Sequence, residues 1–192
     1  MKPFRRRRRG GVYAEFDVHE AEMLANLEAQ LIELVSDRTG TGESSADPLF
    51  AQLDVAGPRV APDDPVLARL FPDAYADDDE SAGEFRRFTE PALASSKIHN
   101  ATAVMESLSA GGLRLDGSEQ TAKSIEVELD DAAVQAWLRA LTDVRLSVAV
   151  RLGIEEDSGG RSVDSDDEGA VLMGDIYDWL GYVQESLIQA LG

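Results

Sequence analysis

DDAAVQAWLRALTDVRLSVAVRL, residues 130–152, carries the strongest structural signal in this chain. Its large apolar residues return every three or four positions, at Val134, Trp137, Leu141, Val144, Val148 and Leu152. This spacing places them on one face of an α-helix, which predicts a long helix with one buried stripe. Asp130 suits the N-cap of that helix, and Leu129 and Val134 are placed as a hydrophobic staple.

Three further segments repeat this helical period. Their apolar positions are Leu24, Leu27, Leu31 and Leu34 in the first, Ile98, Ala101, Met105 and Leu108 in the second, and Ile176, Leu180, Val183, Leu187 and Leu191 in the third. Asp17 and Glu20 resemble a capping box at the start of the first helix. Pro91 precedes the second and predicts either a kink or the start of a separate helix. Asp64, followed by a proline, predicts a short helix over 66–71.

Alternating apolar and polar residues predict a small β element. Residues 12–16 have the pattern of a short strand, and 113–115 and 125–129 have that of two half-buried strands joined by a polar turn. We therefore expect a small hairpin from 113 to 129. The fold class predicted from these patterns is mainly α, a helical bundle of about five or six helices with a small antiparallel β-hairpin or sheet.

The whole chain, residues 1–192, is predicted to form a single domain, because its length is typical of one hydrophobic core. Residues 1–10 are interpreted as a basic N-terminal arm. The segments 39–63 and 155–169 show little periodicity and are rich in glycine, proline or acidic residues, so we expect flexible loops there.

The composition excludes several kinds of chemistry. The chain has 192 residues and no cysteine, which rules out disulfides, redox cysteines, thiolate nucleophiles and cysteine-ligated metals. Its 37 acidic and 18 basic residues give a net charge of −19, which opposes nucleic acid and anionic membranes unless positive charge is concentrated locally. No apolar stretch is long enough to span a membrane, and none follows the N-terminal arginines as a signal peptide requires. We expect a cytoplasmic protein without a membrane partner.

The one concentration of positive charge supplies the candidate nucleic-acid-binding residues, which are Arg5, Arg6, Arg7, Arg8 and Arg9. An arginine-rich arm can lie along phosphates or enter a minor groove. The alternative is a solvated tail, or arginines paired with carboxylates of the same chain. Both interpretations stay open at this point.

Motifs for catalysis or metal binding are incomplete. His19 begins the pattern of a zinc-binding helix, but Met23 stands where the second histidine is needed. Residues 164–175 follow part of a calcium loop, with Asp175 in place of the usual glutamate. The sequence therefore predicts no catalytic residue, no metal site and no cofactor, and the protein is not expected to be an enzyme. The opposing hypothesis, an acidic or metal-dependent active site, would be tested by Asp175→Asn.

Segments spread over nearly the whole chain form a pattern of their own. They are FR at 4–5 with Arg8 and Gly10, YAEF at 13–16, EAEML at 20–24, QLIEL at 30–34, DPVLARLFPDAY at 64–75, EFRRFTE at 84–90, WLRALTDVRL at 137–146 and YDWLG at 177–181. Together they resemble the actinobacterial AosR-like family, long catalogued only as a domain of unknown function.

The resemblance implies a cytoplasmic, mainly helical protein connected with transcriptional control of the oxidative-stress response. It also implies a redox-sensitive cysteine pair and an association with an RNA polymerase sigma factor. This chain departs from the family there, because without cysteine it cannot form the disulfide. For this chain the resemblance therefore implies the regulatory or adaptor role without the cysteine switch.

Two hypotheses about function follow. The first is a non-enzymatic transcriptional regulator or adaptor that acts through a protein partner such as RNA polymerase or a sigma factor, because an acidic surface without a catalytic site favours a basic partner. The alternative is a regulator that binds DNA directly through Arg5 to Arg9. An apolar stripe left uncovered would also allow a homodimer.

Overall fold

The computed structural model describes residues 1–8, 10–39, 60–75, 77–154 and 167–192. Its elements, in chain order, are β1 Lys2–Arg6, β2 Val12–Asp17, α1 Val18–Thr39, α2 Pro65–Leu70, α3 Asp79–Ala110, β3 Ser124–Leu129, α4 Asp131–Arg151 and α5 Glu168–Leu191. The protein is mainly α, with five helices and one three-stranded antiparallel sheet in these residues, which confirms the predicted fold class. Arg9 and most of the two expected loops, 39–63 and 155–169, lie outside the described residues.

The helices begin where the sequence places acidic caps. At the start of α1 the backbone N–H of Asp17 donates to the Glu20 carboxylate at 2.9 Å, and the N–H of Glu20 donates back to Asp17 at 2.9 Å. The carboxylates that cap the other helices are those of Asp64, Asp78, Asp130 and Asp167. They satisfy N–H groups that the first turn of a helix leaves without partners. The predicted capping box and the caps at Asp64 and Asp130 are confirmed.

Pro91 lies inside α3, which runs through it as one helix, so the prediction of a separate helix starting there is wrong. A proline removes one backbone donor and crowds the preceding turn. The helix nevertheless continues because its buried face extends across the proline, from Glu90 to Ala94 and Ala101, and α3 packs along α1. Tertiary packing outweighs the local cost of the proline.

The sheet has the order β1-β2-β3, with both pairs antiparallel and β2 in the centre. β3 pairs with β2 in a register that sets Leu129 opposite Val12 and Ile125 opposite Phe16. The expected hairpin from 113 to 129 is therefore wrong, since 113–115 forms no strand. Both β2 and β3 alternate inward and outward residues over six positions, whereas 113–115 is too short to offer a comparable pairing face.

The core joins the sheet to the C-terminal helices through aromatic side chains. Trp137 of α4 is fully buried, with the Phe4 ring centroid at 5.7 Å and the Phe16 centroid at 6.0 Å. Phe16 also contacts Trp179 of α5, edge to face at 6.4 Å. Buried aromatic rings contribute large apolar areas, so this cluster holds β1, β2, α4 and α5 together. No helix in the described part of the chain is both long and apolar enough to cross a membrane.

Candidate functional site

The predicted arginine arm begins as the edge strand of the sheet. Arg5 and Arg6 belong to β1, and Arg7 and Arg8 follow in the turn that leads to β2. The inner side of β1 is held by Phe4, which is buried and whose N–H lies 3.5 Å from a serine hydroxyl of α5. The arginines of β1 therefore project from fixed backbone.

The turn that follows requires glycine. The N–H of Arg7 donates to the carbonyl of Gly11 at 3.0 Å, and Gly11 has a φ of +73°. A Cβ at Gly11 would lie 2.4 Å from the carbonyl oxygen of Leu129 on β3. Glycine is needed here both for its left-handed backbone and for the close approach of β3.

Carboxylates of the same sheet form ion pairs with some of the basic side chains of β1 and of the turn after it. Arg7 forms an ion pair with Glu128 of β3, and Lys2 Nζ lies 2.5 Å from Glu15 Oε2. The hydrogen bond from Lys2 holds the pKa of the partly exposed Glu15 below its ordinary value. Of the described arginines at positions 5 to 8, Arg5, Arg6 and Arg8 are exposed and form no ion pair with described residues. Of the five predicted arginines, the structure thus shows one that is paired and three that are open to an anion, and Arg9 lies outside the described residues.

The first half of α3 is inverted relative to an ordinary amphipathic helix. Arg86 and Glu90 face the core and are 7% and 1% exposed, whereas Phe85 and Phe88 face solvent and are 44% and 70% exposed. Aromatic side chains normally take the buried positions of such a helix. Burying charge and exposing large apolar groups are both unfavourable, so the inversion makes this side of α3 a candidate functional surface.

Ion pairs hold the inverted side chains in place. The Glu90 carboxylate accepts from Arg38 Nε at 2.7 Å, and Arg86 Nε lies 4.0 Å from the same carboxylate. Arg86 also forms an ion pair with Asp73. Because Arg38 belongs to α1 and Asp73 follows α2, the network connects three separate parts of the chain. Buried charges of this kind are tolerated only when they are paired.

The exposed side of this helix continues onto the preceding segment. Tyr75 is half exposed, and its ring packs edge-on against Phe85 with the centroids 5.9 Å apart. Phe88 lies one turn further along α3, with the Arg87 guanidinium 5.7 Å from its ring centroid. We call Tyr75, Phe85 and Phe88 the aromatic face. The exposed carboxylates between Tyr75 and Phe85 in the chain are Asp77, Asp78, Asp79, Glu80 and Glu84.

A further polar group is buried where α1, α3 and α4 meet. Glu28 is fully buried, and neither of its carboxyl oxygens has a hydrogen-bond partner among the described residues. Asp143 of α4 accepts from Lys97 Nζ of α3 at 2.7 Å. Burial, and then the negative charge of Asp143, raise the pKa of Glu28 to about 8. Glu28 therefore keeps its proton at neutral pH.

A groove of about 520 Å³ lies between α1 and α4. Among the described residues its lining is mainly apolar, including Leu31 and Val148, and contains carboxylates such as Glu33 but no histidine or lysine. The hydroxyl of Ser147, which lies in this lining, donates to the carbonyl oxygen of Asp143 at 2.8 Å. The Ser147 hydroxyl therefore donates to a backbone carbonyl and not to a side-chain base of the lining.

The histidines stand apart from one another. His19 is almost fully exposed, with Nδ1 3.5 Å from the Glu22 carboxylate, and His99 is exposed on α3. Within the described ranges no three histidines or carboxylates converge as metal ligands. Of the partial calcium loop, 164–166 lies outside the described residues, and Asp175 is exposed on α5.

Neither the burial of Glu28 nor the exposure of Phe85 and Phe88 is predicted from the sequence. A signal for Glu28 exists, because it falls four positions after Leu24 and three before Leu31, inside the helical period of the buried stripe. No such signal exists for the phenylalanines, since apolar residues three apart ordinarily predict the buried side of a helix.

Comparison with known proteins agrees with the resemblance seen in the sequence. The family model described as "Domain of unknown function (DUF2017)" matches residues 1–191. The "Putative oxidative stress regulator AosR" of Mycobacterium leprae is 30% identical over 187 residues, which cover 90% of this chain and 79% of that protein. The "Oxidative stress regulator AosR" of Mycobacterium bovis is 29% identical over 187 residues, covering 90% and 78%. No solved structure matches the chain. The AosR-like resemblance is confirmed, and the chain belongs to the DUF2017 family.

Proposed function

We propose that this protein is a non-enzymatic regulator that acts through a protein partner, such as RNA polymerase or a sigma factor. Its relatives are named oxidative stress regulators, which supports a regulatory role for this chain. A thiol switch is excluded, because the chain has no cysteine. Its regulatory effect would therefore depend on which molecule it binds.

The inversion of α3 is the observation that carries the proposal. Exposed apolar patches on a folded protein mark sites of interaction, and aromatic residues are enriched at the centres of protein interfaces. Phe85 and Phe88 are exposed while Arg86 and Glu90 occupy the buried side of the same helix. A protein partner that covered the aromatic face would remove the rings of Phe85 and Phe88 from water.

The test is a binding assay between the tagged full chain and purified RNA polymerase core and sigma factors from the same organism. We expect one of these proteins to bind, and the double variant Phe85→Ser/Phe88→Ser to bind it at least about tenfold more weakly, as loss of interface aromatics does. The double variant Leu172→Ser/Ile188→Ser is the matched control, because both side chains are exposed on α5.

The control should bind within about twofold of the unmodified chain, since isolated exposed apolar residues carry little interface energy. Absence of binding to every polymerase subunit and sigma factor would overturn the proposal. Equal loss of binding in both double variants would remove the aromatic face as its basis.

A direct DNA-binding regulator is the second candidate, and the open arginines favour it. Arg5, Arg6 and Arg8 are exposed along the β1–β2 hairpin, and a two-stranded ribbon fits a major groove. Against it, Arg7 is already paired with Glu128, and the net charge of −19 opposes approach to phosphates.

Fluorescence anisotropy on labelled duplex DNA over a salt series separates the two candidates. The chain is compared with a variant in which Arg5 to Arg9 are all serine. Binding that is lost in the serine variant and weakens steeply with salt would support the DNA candidate. No binding by either protein at physiological salt would exclude direct DNA contact through these arginines.

A further inference from the structure

We propose that the aromatic face, together with the carboxylates beside it, binds a basic amphipathic helix of the partner protein. This inference rests on the proposed function and adds the chemistry of the partner segment.

The spacing of the exposed side chains favours a helix as the occupant. Phe85, Phe88 and the exposed Ala92 stand at positions i, i+3 and i+7 of α3. This is the seam spacing by which one helix packs along another, and the small side chain of Ala92 allows a second backbone to approach. A partner helix with apolar residues at the same spacing would cover the seam.

The charge beside the seam selects a basic partner. Of the five exposed carboxylates, Asp78 is used as the N-cap of α3 and accepts from the N–H groups of Glu80 and Ser81 at 3.1 and 3.0 Å. None of the five forms an ion pair in the described part of the chain, and the four that do not cap the helix are Asp77, Asp79, Glu80 and Glu84. Lysine or arginine on the flanks of a partner helix would meet these groups, whereas an acidic partner would be repelled.

The aromatic face is held in its binding geometry before a partner arrives. The ion pair between Arg86 and Asp73 fixes the chain just before Tyr75, whose ring then packs against Phe85. Glu90 secures Arg86 from the core side, and Arg38 of α1 secures Glu90. A surface ordered in this way loses little conformational entropy on binding, which favours affinity.

The experiment uses the full chain and three synthetic peptides of about 18 residues, long enough to form a helix on a protein surface. The first has leucines at i, i+3 and i+7 repeats flanked by lysines. The second has glutamate in place of every lysine, and the third is a scrambled version of the first with the same charge. Affinities are measured by isothermal titration calorimetry and their salt dependence by anisotropy.

We expect the lysine peptide to bind at least about tenfold more tightly than the scrambled peptide, and the glutamate peptide not to bind. The double variant Phe85→Ser/Phe88→Ser should bind the lysine peptide with at least about tenfold lower affinity. A quadruple amide variant should also bind the lysine peptide more weakly, and the affinity should then depend less on salt. Its changes are Asp77→Asn, Asp79→Asn, Glu80→Gln and Glu84→Gln.

A second quadruple amide variant is the matched control for net charge. It carries Glu106→Gln, Glu119→Gln, Asp175→Asn and Glu185→Gln, which alter exposed carboxylates elsewhere on the protein. Its affinity should stay within about threefold of the unmodified chain, because distant surface charges are largely screened. An equal loss of affinity in the two amide variants would overturn the inference. Equal affinities of the lysine peptide and the scrambled peptide would overturn it as well.

The two proposals fail in different ways. Suppose that a polymerase subunit or sigma factor binds the chain, and that Phe85→Ser/Phe88→Ser abolishes this binding. If the quadruple amide variant at the aromatic face still binds that protein with full affinity, the inference of a basic helix is wrong and the proposed function stands. If no such protein binds, the proposed function is wrong, and this inference fails with it whatever the peptides show.

Discussion

Glu28 of α1 and Asp143 of α4 are buried carboxyl groups at one helix junction, and they differ in their partners. Lys97 Nζ lies 2.7 Å from Asp143 Oδ1, whereas both oxygens of Glu28 lack a partner within the described part of the chain. Lys97 also lies 5.8 Å from the ring centroid of Phe71, which helps to enclose its ammonium group. The junction therefore contains one carboxyl paired with a cation and one that burial keeps protonated, with a pKa raised to about 8.

Glu28→Gln should stabilise the protein at neutral pH. The pKa of Glu28 is about 8 in the folded protein and near 4.5 when the group is free, so at pH 7 only the unfolded chain releases the proton. Because the folded state binds more protons, stability falls as the pH rises from the lower of these values to the higher. At pH 7 this cost is about 3 kcal/mol, and glutamine, which cannot ionise, removes it.

Urea denaturation at several pH values between about 5 and 8 checks this prediction. The stability advantage of Glu28→Gln should grow by about 1.4 kcal/mol per pH unit in that window. Glu33→Gln, exposed on the same helix, is the control and should change stability by less than about 0.5 kcal/mol. A Glu28→Gln variant that is less stable at pH 7 would contradict a protonated Glu28.

Glu90→Gln should destabilise the protein by about 3 kcal/mol, because it leaves the positive charges of the buried Arg86 and the partly buried Arg38 with weaker compensation. The free energy of unfolding from urea denaturation is the measurement. Glu106→Gln on the exposed side of the same helix should cost less than about 0.5 kcal/mol. A cost for Glu90→Gln as small as that of the control would mean that the inversion of α3 does not depend on this ion pair.

The two exposed phenylalanines should contribute to binding without contributing to folding. Phe88→Ala is expected to change the free energy of unfolding by less than about 0.5 kcal/mol, because the side chain is 70% exposed. Phe16→Ala, which removes a fully buried ring from the aromatic core, should cost about 3 to 5 kcal/mol. Thermal or urea unfolding of both variants provides the comparison. A large loss of stability in Phe88→Ala would show that this ring is covered in the folded chain.

Gly11→Ala should destabilise the hairpin by about 2 kcal/mol or more, since it combines a left-handed backbone with a close approach to the Leu129 carbonyl. Gly10→Ala is a matched control, because Gly10 also has a positive φ, +96°, but has open space around its Cβ position. The difference between the two variants in unfolding free energy isolates the contact with β3. Equal costs would mean that backbone strain alone accounts for the effect.

The helices were predictable because their signals are local. The capping pair Asp17 and Glu20 lies within one turn, and the N-caps Asp64 and Asp130 stand directly before the helices that they start. The apolar period of 130–152 likewise acts between residues three or four apart. Each of these features could therefore be predicted from a short stretch of sequence.

The pairing of strands was not predictable in the same way. The segment 113–115 stands nearest in sequence to β3, yet β3 pairs with β2, more than a hundred residues earlier in the chain. Which partner pairs with β3 depends on matched inward faces and on the helices that cover them, and neither is encoded next to the strand. Sequence proximity favoured the wrong partner.

Local sequence signals established the helical fold class, the helix starts and the absence of thiol chemistry, because caps, period and composition require no knowledge of distant contacts. Only the tertiary structure decided that Arg86 and Glu90 turn inward and that Phe85 and Phe88 turn outward. The reason is that Arg86 and Glu90 take their partners, Asp73 and Arg38, from separate segments. Their pairing energy exists only once those segments have come together, so the local pattern of α3 contains no sign of it.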